Sequence, residues 1–262
     1  VNNKLILLQT LDADGDLNNG IQITEAIRMI VSANAGLINF DQSTTAFRTS
    51  LTDVLAALNA AQVFSSDTDP RPRTARGAQA ALEHFARSTS VRHVVTTTYG
   101  QVSGYEANTS TWQYLGITYA KPPVGELRWR PPQSPTAWTG VRDAIAWSDQ
   151  AAQMLAMEAF GEGAMSEDCL YLNVTAPKNA SNYPVMVWFH GGAFTLLTAN
   201  SKQYNNPDGL TNKGVVLVTV NHRLGPFGYI AHPLLTAESG YNGSGNYGQM
   251  DLVMALTWVK NN

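Results

Sequence analysis

Apolar positions recur with two different spacings along the chain. Within residues 1–90 they recur at helical spacing and predict helices over residues 24–34, 51–63 and 75–87. From residue 91 onward, short runs rich in Val and Thr predict an antiparallel meander with strands at 91–99, 101–106 and 112–115. We therefore expect a small helical prefix domain over residues 1–90 and a second domain over residues 91–262.

Three later runs have a different pattern. Residues 170–175, 185–189 and 215–220 are almost continuously apolar, which is typical of strands buried on both faces of a parallel or mixed sheet. The segment 249–260 then places Leu252, Val253, Leu256 and Val259 on one face of a helix. Buried strands followed by a helix predict an α/β fold, in which the meander leads into a mostly parallel sheet.

Composition and charge narrow the possible functions. The 262 residues are 44% hydrophobic and 14% charged, which is enough apolar material for a sizeable core. The net charge is −3 and no long Lys/Arg run occurs, so we expect no nucleic-acid partner. The longest uncharged apolar stretch, residues 184–200, is interrupted by Gly191 and Gly192, so we expect no membrane span. The single cysteine, Cys169, excludes a disulfide within the chain.

The segment His190-Gly191-Gly192-Ala193-Phe194 directly follows the apolar run 185–189. Two glycines at the end of a strand let the backbone turn sharply and bring N–H groups close to a ligand. This is what an oxyanion hole requires, where one preorganised donor is worth about 3 kcal/mol in the transition state of acyl transfer. A Gly-Gly pair alone is more often a plain turn.

Four further motifs accompany this segment in a fixed order. They are GITYAKPPVGELRW at 116–129, EDCLYLNV at 167–174, NHRLG at 221–225 with Phe227 and Gly228, and GNYG at 245–248 with Asp251. Together with HGGAF at 190–194, they make residues 94–262 resemble the type-B carboxylesterase and cholinesterase family of α/β-hydrolases. Residues 1–90 lie outside the resemblance.

The resemblance implies a fold, a reaction and a site. The fold is the N-terminal portion of an α/β-hydrolase, and the reaction is hydrolysis of small carboxylic esters through an acyl-enzyme, with no cofactor. The N–H groups of Gly192 and Ala193 would be oxyanion-hole donors, and Gly191 would shape the turn. Phe194 would lie near the substrate.

The same resemblance exposes a missing element. In the family the nucleophilic serine lies in a Gly-x-Ser-x-Gly elbow one strand after the helix that here ends near Asn262, and no such motif occurs in the sequence. We therefore expect an incomplete hydrolase domain that is inactive alone. Its partner would be a C-terminal complement that carries the serine, the acid and the histidine. The alternative is a catalytically silent, esterase-like adhesion or binding protein.

We expect the other reactive residues of these motifs to have structural and not catalytic roles. By resemblance, His190 supports the oxyanion loop, and His222 replaces an aromatic residue and contributes packing or a hydrogen bond. Cys169 would be a buried free thiol because Ala151 stands where family members have its disulfide partner. Three charged residues in apolar motifs predict a set of buried ion pairs: Arg128, Asp168 and Arg223.

One possible metal site lies in the prefix. Asp12, Asp14, Asp16 and Asn18 alternate oxygen ligands around Gly15 ahead of a predicted helix, which is how a Ca²⁺ loop begins. The register is imperfect, because Ile21 stands where a bidentate acid should lie. An Asp/Asn-rich turn without calcium explains the pattern equally well.

Overall fold

A computed structural model of the chain describes residues 84, 86–153, 164–179, 181–201 and 203–262. The helices predicted over 24–34 and 51–63 lie outside the described residues. Of the helix predicted over 75–87, the structure describes only the end, where His84, Ala86, Arg87 and Ser88 are helical. Residues Ser90–Asn262 form one compact unit, which contains every strand of the described part.

The strands and helices of this unit follow the predicted order. The strands are β1 (Arg92–Thr97), β2 (Gly100–Asn108), β3 (Thr111–Thr118), β4 (Val141–Asp143), β5 (Gln150–Ala151), β6 (Met165–Ser166), β7 (Tyr171–Pro177), β8 (Val185–Phe189) and β9 (Val216–Val220). The helices are α1 (Gly225–Tyr229), α2 (Pro233–Glu238) and α3 (Tyr247–Asn261), and short 3-10 helices lie at Gly125–Leu127 and Leu210–Lys213. Within the described ranges, no helix is long and apolar enough to cross a membrane.

The main sheet is mixed and has the order β1-β2-β3-β7-β9-β8, with β4 beside β2. The predicted meander is confirmed, since β1, β2 and β3 pair antiparallel in sequence order. Strands β7 and β9 continue the antiparallel arrangement, and the parallel pairs of this sheet are β8 with β9 and β2 with β4. The predicted α/β fold is confirmed, but the region expected to be mostly parallel is mixed in the described residues: β8 pairs parallel with β9, whereas β7 pairs antiparallel with both β3 and β9.

The core lies between the centre of this sheet and α3. Leu172 on β7 and Val218 and Val220 on β9 are buried in one apolar cluster with Ala255 and Trp258 of α3. Helical spacing explains this packing: positions 251, 255 and 258 are four and three residues apart, so they lie on one face of α3, which faces the sheet.

Strand β8 differs from its prediction. The run 185–189 was expected to be buried on both faces, but Val185, Met186 and Trp188 are exposed. The physical reason is position: β8 is the last strand in the order, and within the described residues it pairs only with β9.

Candidate oxyanion turn

The turn after β8 is built from residues in an unusual backbone conformation. Gly192, Ala193 and Phe194 have φ values of 109°, 50° and 64°, so three consecutive residues have positive φ. For Ala193 and Phe194 this conformation costs on the order of 1 kcal/mol each relative to ordinary backbone. Such strain persists only where the surrounding structure holds it, and it concentrates at functional sites.

The two glycines have different steric requirements. A Cβ added to Gly192 would lie 2.0 Å from the carbonyl oxygen of Leu196, so this position requires glycine. A Cβ added to Gly191 would meet no atom within 4 Å, and the φ of Gly191 is not positive. Within the described residues, steric fit and backbone conformation therefore require glycine at position 192 but not at position 191.

Two consecutive peptide carbonyls of the turn are held by hydrogen bonds. The Gly191 carbonyl lies 2.8 Å from Nδ1 of His190, and the Gly192 carbonyl accepts from the N–H groups of Thr195 (3.0 Å) and Leu196 (3.2 Å). In a planar trans peptide the N–H points opposite to the C=O. The N–H groups of Gly192 and Ala193 consequently point away from these anchors, and neither donates to a group in the described part of the chain.

The chain around the turn is fixed to the segment that follows β9. Gly225 N–H donates to the carbonyl of Phe194 at 2.7 Å, and the Phe194 ring packs on Tyr229 with the ring centroids 4.9 Å apart. The Phe194 side chain is 54% exposed, which is unusual for phenylalanine. The aromatic residue predicted to lie near the substrate is thus held on one side by Tyr229 and open to solvent on the other.

Buried amide side chains hold the segment after the turn. The Asn221 side-chain oxygen accepts from Ala199 N–H at 2.7 Å and from the Thr198 hydroxyl at 2.9 Å. Asn200 then accepts from the side-chain amides of Asn173 and Asn221. All five residues are buried, so losing one partner would leave an unpaired polar group, at a cost of about 1–3 kcal/mol.

The predicted buried ion pair is present at Arg223, whereas the ion pair of Arg128 with Glu167 is only partly buried, since these side chains are 39% and 24% exposed. Arg223 donates to both carboxylate oxygens of Asp251, at 2.9 Å from Nε and 2.7 Å from Nη2, and its backbone N–H donates to the same carboxylate at 3.0 Å. Arg128 makes a two-point contact with Glu167 at 2.5 and 2.6 Å.

Asp168 corrects the third prediction. Its carboxylate forms no ion pair among the described residues. Partial burial raises the pKa of Asp168, and the interaction with the Tyr171 side chain acts in the opposite direction.

Cys169 is a buried free thiol, as predicted. Burial raises the pKa of the thiol well above its ordinary value, so the thiol stays protonated at neutral pH. A protonated, buried thiol cannot serve as a nucleophile.

The described histidines outside the prefix are engaged with groups other than a nucleophile. His93 contacts the Tyr114 hydroxyl, His190 the Gly191 carbonyl, His222 the Arg223 carbonyl and His232 the Leu234 N–H. The Ser244 hydroxyl lies in the loop before α3 and contacts the Thr236 hydroxyl and the backbone of His232. Within the described residues, none of these four imidazole rings is hydrogen-bonded to the Ser244 hydroxyl.

The possible calcium ligands Asp12, Asp14, Asp16 and Asn18 lie outside the described residues, and this site stays a prediction. Sequence reasoning missed two contacts at the turn, the stacking of His222 on His190 and the packing of Tyr229 on Phe194. The sequence did contain a signal for the histidine stacking: His190 directly follows the apolar run 185–189, and His222 follows the apolar run 215–220 by two positions.

Comparison with known proteins gives one consistent result. The family model described as "Carboxylesterase family" matches residues 91–262. The fumonisin B1 esterase of Sphingopyxis macrogoltabida is 44% identical over 178 residues, which cover 66% of this chain and 31% of that protein. The para-nitrobenzyl esterase of Bacillus subtilis (strain 168) is 42% identical over 173 residues, covering 64% of this chain and 34% of that protein.

Solved structures agree with these relatives. A thermophilic PNB esterase superposes with a TM-score of 0.60 at 38% identity, over 66% of this chain and 35% of that chain. The chain spans about a third of the length of the curated relatives it matches.

Proposed function

The chain belongs to the carboxylesterase family, and from that premise we propose that its turn at residues 190–194 forms the oxyanion hole of a serine carboxylesterase. The reaction is hydrolysis of small carboxylic esters through an acyl-enzyme. The observation that carries the proposal is the anchoring of the Gly191 and Gly192 carbonyls, which leaves two adjacent N–H groups pointing the other way at the end of β8.

These two donors fit the charge that develops in acyl transfer. When a nucleophile attacks the ester carbonyl, the carbonyl oxygen becomes an oxyanion and needs donors that are already oriented. The N–H groups of Gly192 and Ala193 are preorganised, because hydrogen bonds to the Gly191 and Gly192 carbonyls hold the turn in its strained conformation. Losing such a donor in comparable sites lowers the rate about 10²–10³-fold.

The nucleophile and its base come from a C-terminal complement of this chain. Three observations support this part of the proposal: the sequence contains no Gly-x-Ser-x-Gly elbow, the chain spans about a third of its relatives, and the described imidazoles are bonded elsewhere. In this account the chain alone is inactive.

The open edge of β8 is where the complement attaches. The Pro184 carbonyl accepts from Val216 on β9, so by the alternation of a strand Met186 and Trp188 also direct their backbone groups to β9. The backbone groups of Val185, Val187 and Phe189 therefore face the open edge. A strand added there parallel to β8 would end next to the turn and present a nucleophile to its N–H groups.

Labelling with a fluorophosphonate tests the proposal. The natural assembly, containing this chain and its complement, is treated with the reagent and the labelled peptide is identified by mass spectrometry. We expect the label on a serine of the complement and none on residues 1–262, with this chain alone as the unlabelled control.

Two outcomes contradict the proposal. A label on a serine of this chain would mean that the site has been assigned to the wrong segment. No label on any part of the assembly would favour the catalytically silent binding protein.

A further inference from the structure

Two imidazoles stack directly beneath the oxyanion turn. The ring centroids of His190 and His222 lie 4.8 Å apart and their planes differ by 18°. Both side chains are buried, at 7% and 3% exposure. The stack arises because β8 and β9 pair in register, with Phe189 opposite Val220, so the residues that follow both strands lie side by side.

The two rings form equivalent hydrogen bonds. Nδ1 of His190 lies 2.8 Å from the Gly191 carbonyl, and Nδ1 of His222 lies 3.0 Å from the Arg223 carbonyl. Because a carbonyl only accepts, each Nδ1 carries the proton. Nε2 of His190 is buried without a partner in the described part of the chain, so one hydrogen bond and the stack determine the orientation of this ring.

The orientation of His190 controls the first oxyanion donor. Its Nδ1–H holds the Gly191 carbonyl, and the Gly192 N–H belongs to the same peptide and points the other way. A peptide between two glycines has little steric resistance to rotation. The χ2 angle of a histidine is likewise broadly distributed, so an unsupported ring would hold this peptide poorly.

His222 supplies the missing support and is itself fixed. The next residue, Arg223, is bound through its backbone N–H and its guanidinium to the buried carboxylate of Asp251 on α3. A continuous set of contacts thus runs from α3 through Arg223, His222 and His190 to the Gly192 N–H.

We infer that His222 is a positioning residue of the oxyanion hole, which fixes the plane of the His190 ring and thereby the direction of the Gly192 N–H. This inference rests on the proposed function for its effect on catalysis, and on the geometry alone for its effect on His190. Burial lowers the pKa of both imidazoles, which keeps the two stacked rings neutral and free of mutual repulsion at neutral pH.

The test compares three variants in the natural assembly of this chain with its complement. His222→Leu keeps an apolar side chain but loses the flat ring, and His222→Phe restores a ring. His93→Leu is the matched control, since His93 stacks on Trp112 at 4.8 Å and 13° but lies on β1, at the opposite edge of the sheet.

We expect His222→Leu to lower kcat for p-nitrophenyl acetate about 10-fold while KM changes less than about twofold, since only the transition state uses the donor. His222→Phe should recover most of the lost kcat, and His93→Leu should keep kcat within about twofold because that stack holds no part of the turn. Unchanged kcat in His222→Leu, or an equal loss in His93→Leu, would overturn the inference.

A second readout does not depend on activity. The ¹⁵N spectrum of the His190 ring reports which nitrogen carries the proton. We expect the Nδ1–H form in the unsubstituted protein and in His222→Phe, and a mixture of forms in His222→Leu. An unchanged Nδ1–H form in His222→Leu would contradict the positioning role even if the assembly has no esterase activity, an outcome that would count against the proposed function alone.

Discussion

Strands β8 and β9 pair with each other and have similarly apolar sequences, but their surroundings differ. On β9, Leu217, Val218 and Val220 are at most 5% exposed, whereas Val185, Met186 and Trp188 of β8 are 41–50% exposed. The sequence of a strand reflects the surroundings in which it functions. In the proposed function the complement covers this apolar strand, and the turn at residues 190–194 begins at the end of the same strand.

The largest expected effect on stability concerns the buried ion pair that Arg223, shortly after β9, forms with Asp251. Asp251→Asn removes the partner of Arg223, whose side chain is 2% exposed, and should destabilise the chain by about 3–5 kcal/mol because an unpaired charge stays buried. The measurement is urea denaturation followed by circular dichroism.

Asp143→Asn is the control for this prediction. Asp143 also pairs with an arginine, Arg92, but its side chain is 72% exposed, so we expect a loss below about 1 kcal/mol. Equal losses in Asp251→Asn and Asp143→Asn would show that burial does not distinguish the two pairs.

A matched pair of truncations compares the two strands directly. Leu217 and Met186 lie opposite each other in the β8–β9 register. Leu217→Ala should cost about 2–5 kcal/mol through the cavity it leaves, and Met186→Ala, at an exposed position, less than about 1 kcal/mol. The same urea titration measures both, and a Met186→Ala cost as large as that of Leu217→Ala would mean that β8 is already covered.

Alanine substitutions of the two glycines after β8 distinguish an effect on stability from an effect on catalysis. Gly192→Ala should lower kcat of the natural assembly about 10²–10³-fold, about 3 kcal/mol, because the added Cβ meets the Leu196 carbonyl and displaces the donors. The variant should also lose stability, since φ at this position is 109°.

Gly191→Ala is the companion variant. Its Cβ enters open space, so the melting temperature of the chain should stay within a few degrees. Its kcat/KM should nevertheless fall if the open space is where the ester lies. A Gly191→Ala variant with full activity toward esters of all sizes would place the substrate elsewhere.

Much of this arrangement could be predicted from the sequence. The predicted strand 185–189 matches β8, and the helix predicted over 249–260 matches α3 within two residues, because long apolar runs and helical spacing are local signals. The glycine turn was identified because HGGAF at 190–194 occurs together with four further motifs in a fixed order, since a Gly-Gly pair alone is more often a plain turn.

The remainder depends on which segments meet in space. The exposure of β8 does not follow from the residues of this strand alone, since an apolar run does not reveal whether a strand lies on its other side; it agrees with the expectation of an incomplete hydrolase domain. Arg128 pairs with Glu167 and not with Asp168, one position along, and only the path of the chain decides between two adjacent carboxylates. The His190–His222 stack required knowledge that β8 and β9 are paired.

The smallest expected effect is a pH dependence of the free energy of unfolding that arises from His222, which follows β9. Burial, reinforced by the neighbouring His190, holds the pKa of His222 at about 4, below its ordinary 6.5. The unfolded chain therefore binds more protons between these pH values, and stability present at pH 7 is lost as the pH falls through this window.

Urea titrations at pH 7 and pH 4.5 measure this effect against His222→Phe, which retains the other titrating groups. The unsubstituted chain should lose about 2 kcal/mol more than the variant over this interval. Identical losses would show that His222 is protonated as easily in the folded chain as in the unfolded one.

In the proposed function, β8 carries an oxyanion turn and an open edge that a nucleophile-bearing complement completes. Amide hydrogen exchange resolved along β8 tests it most directly. In the chain alone, the N–H groups of Val185, Val187 and Phe189 should exchange quickly and those of Met186 and Trp188 slowly, because only the latter face β9. In the natural assembly all five should exchange slowly while β9 is unchanged. Fast exchange at Val185, Val187 and Phe189 in an assembly that hydrolyses esters would contradict the claim.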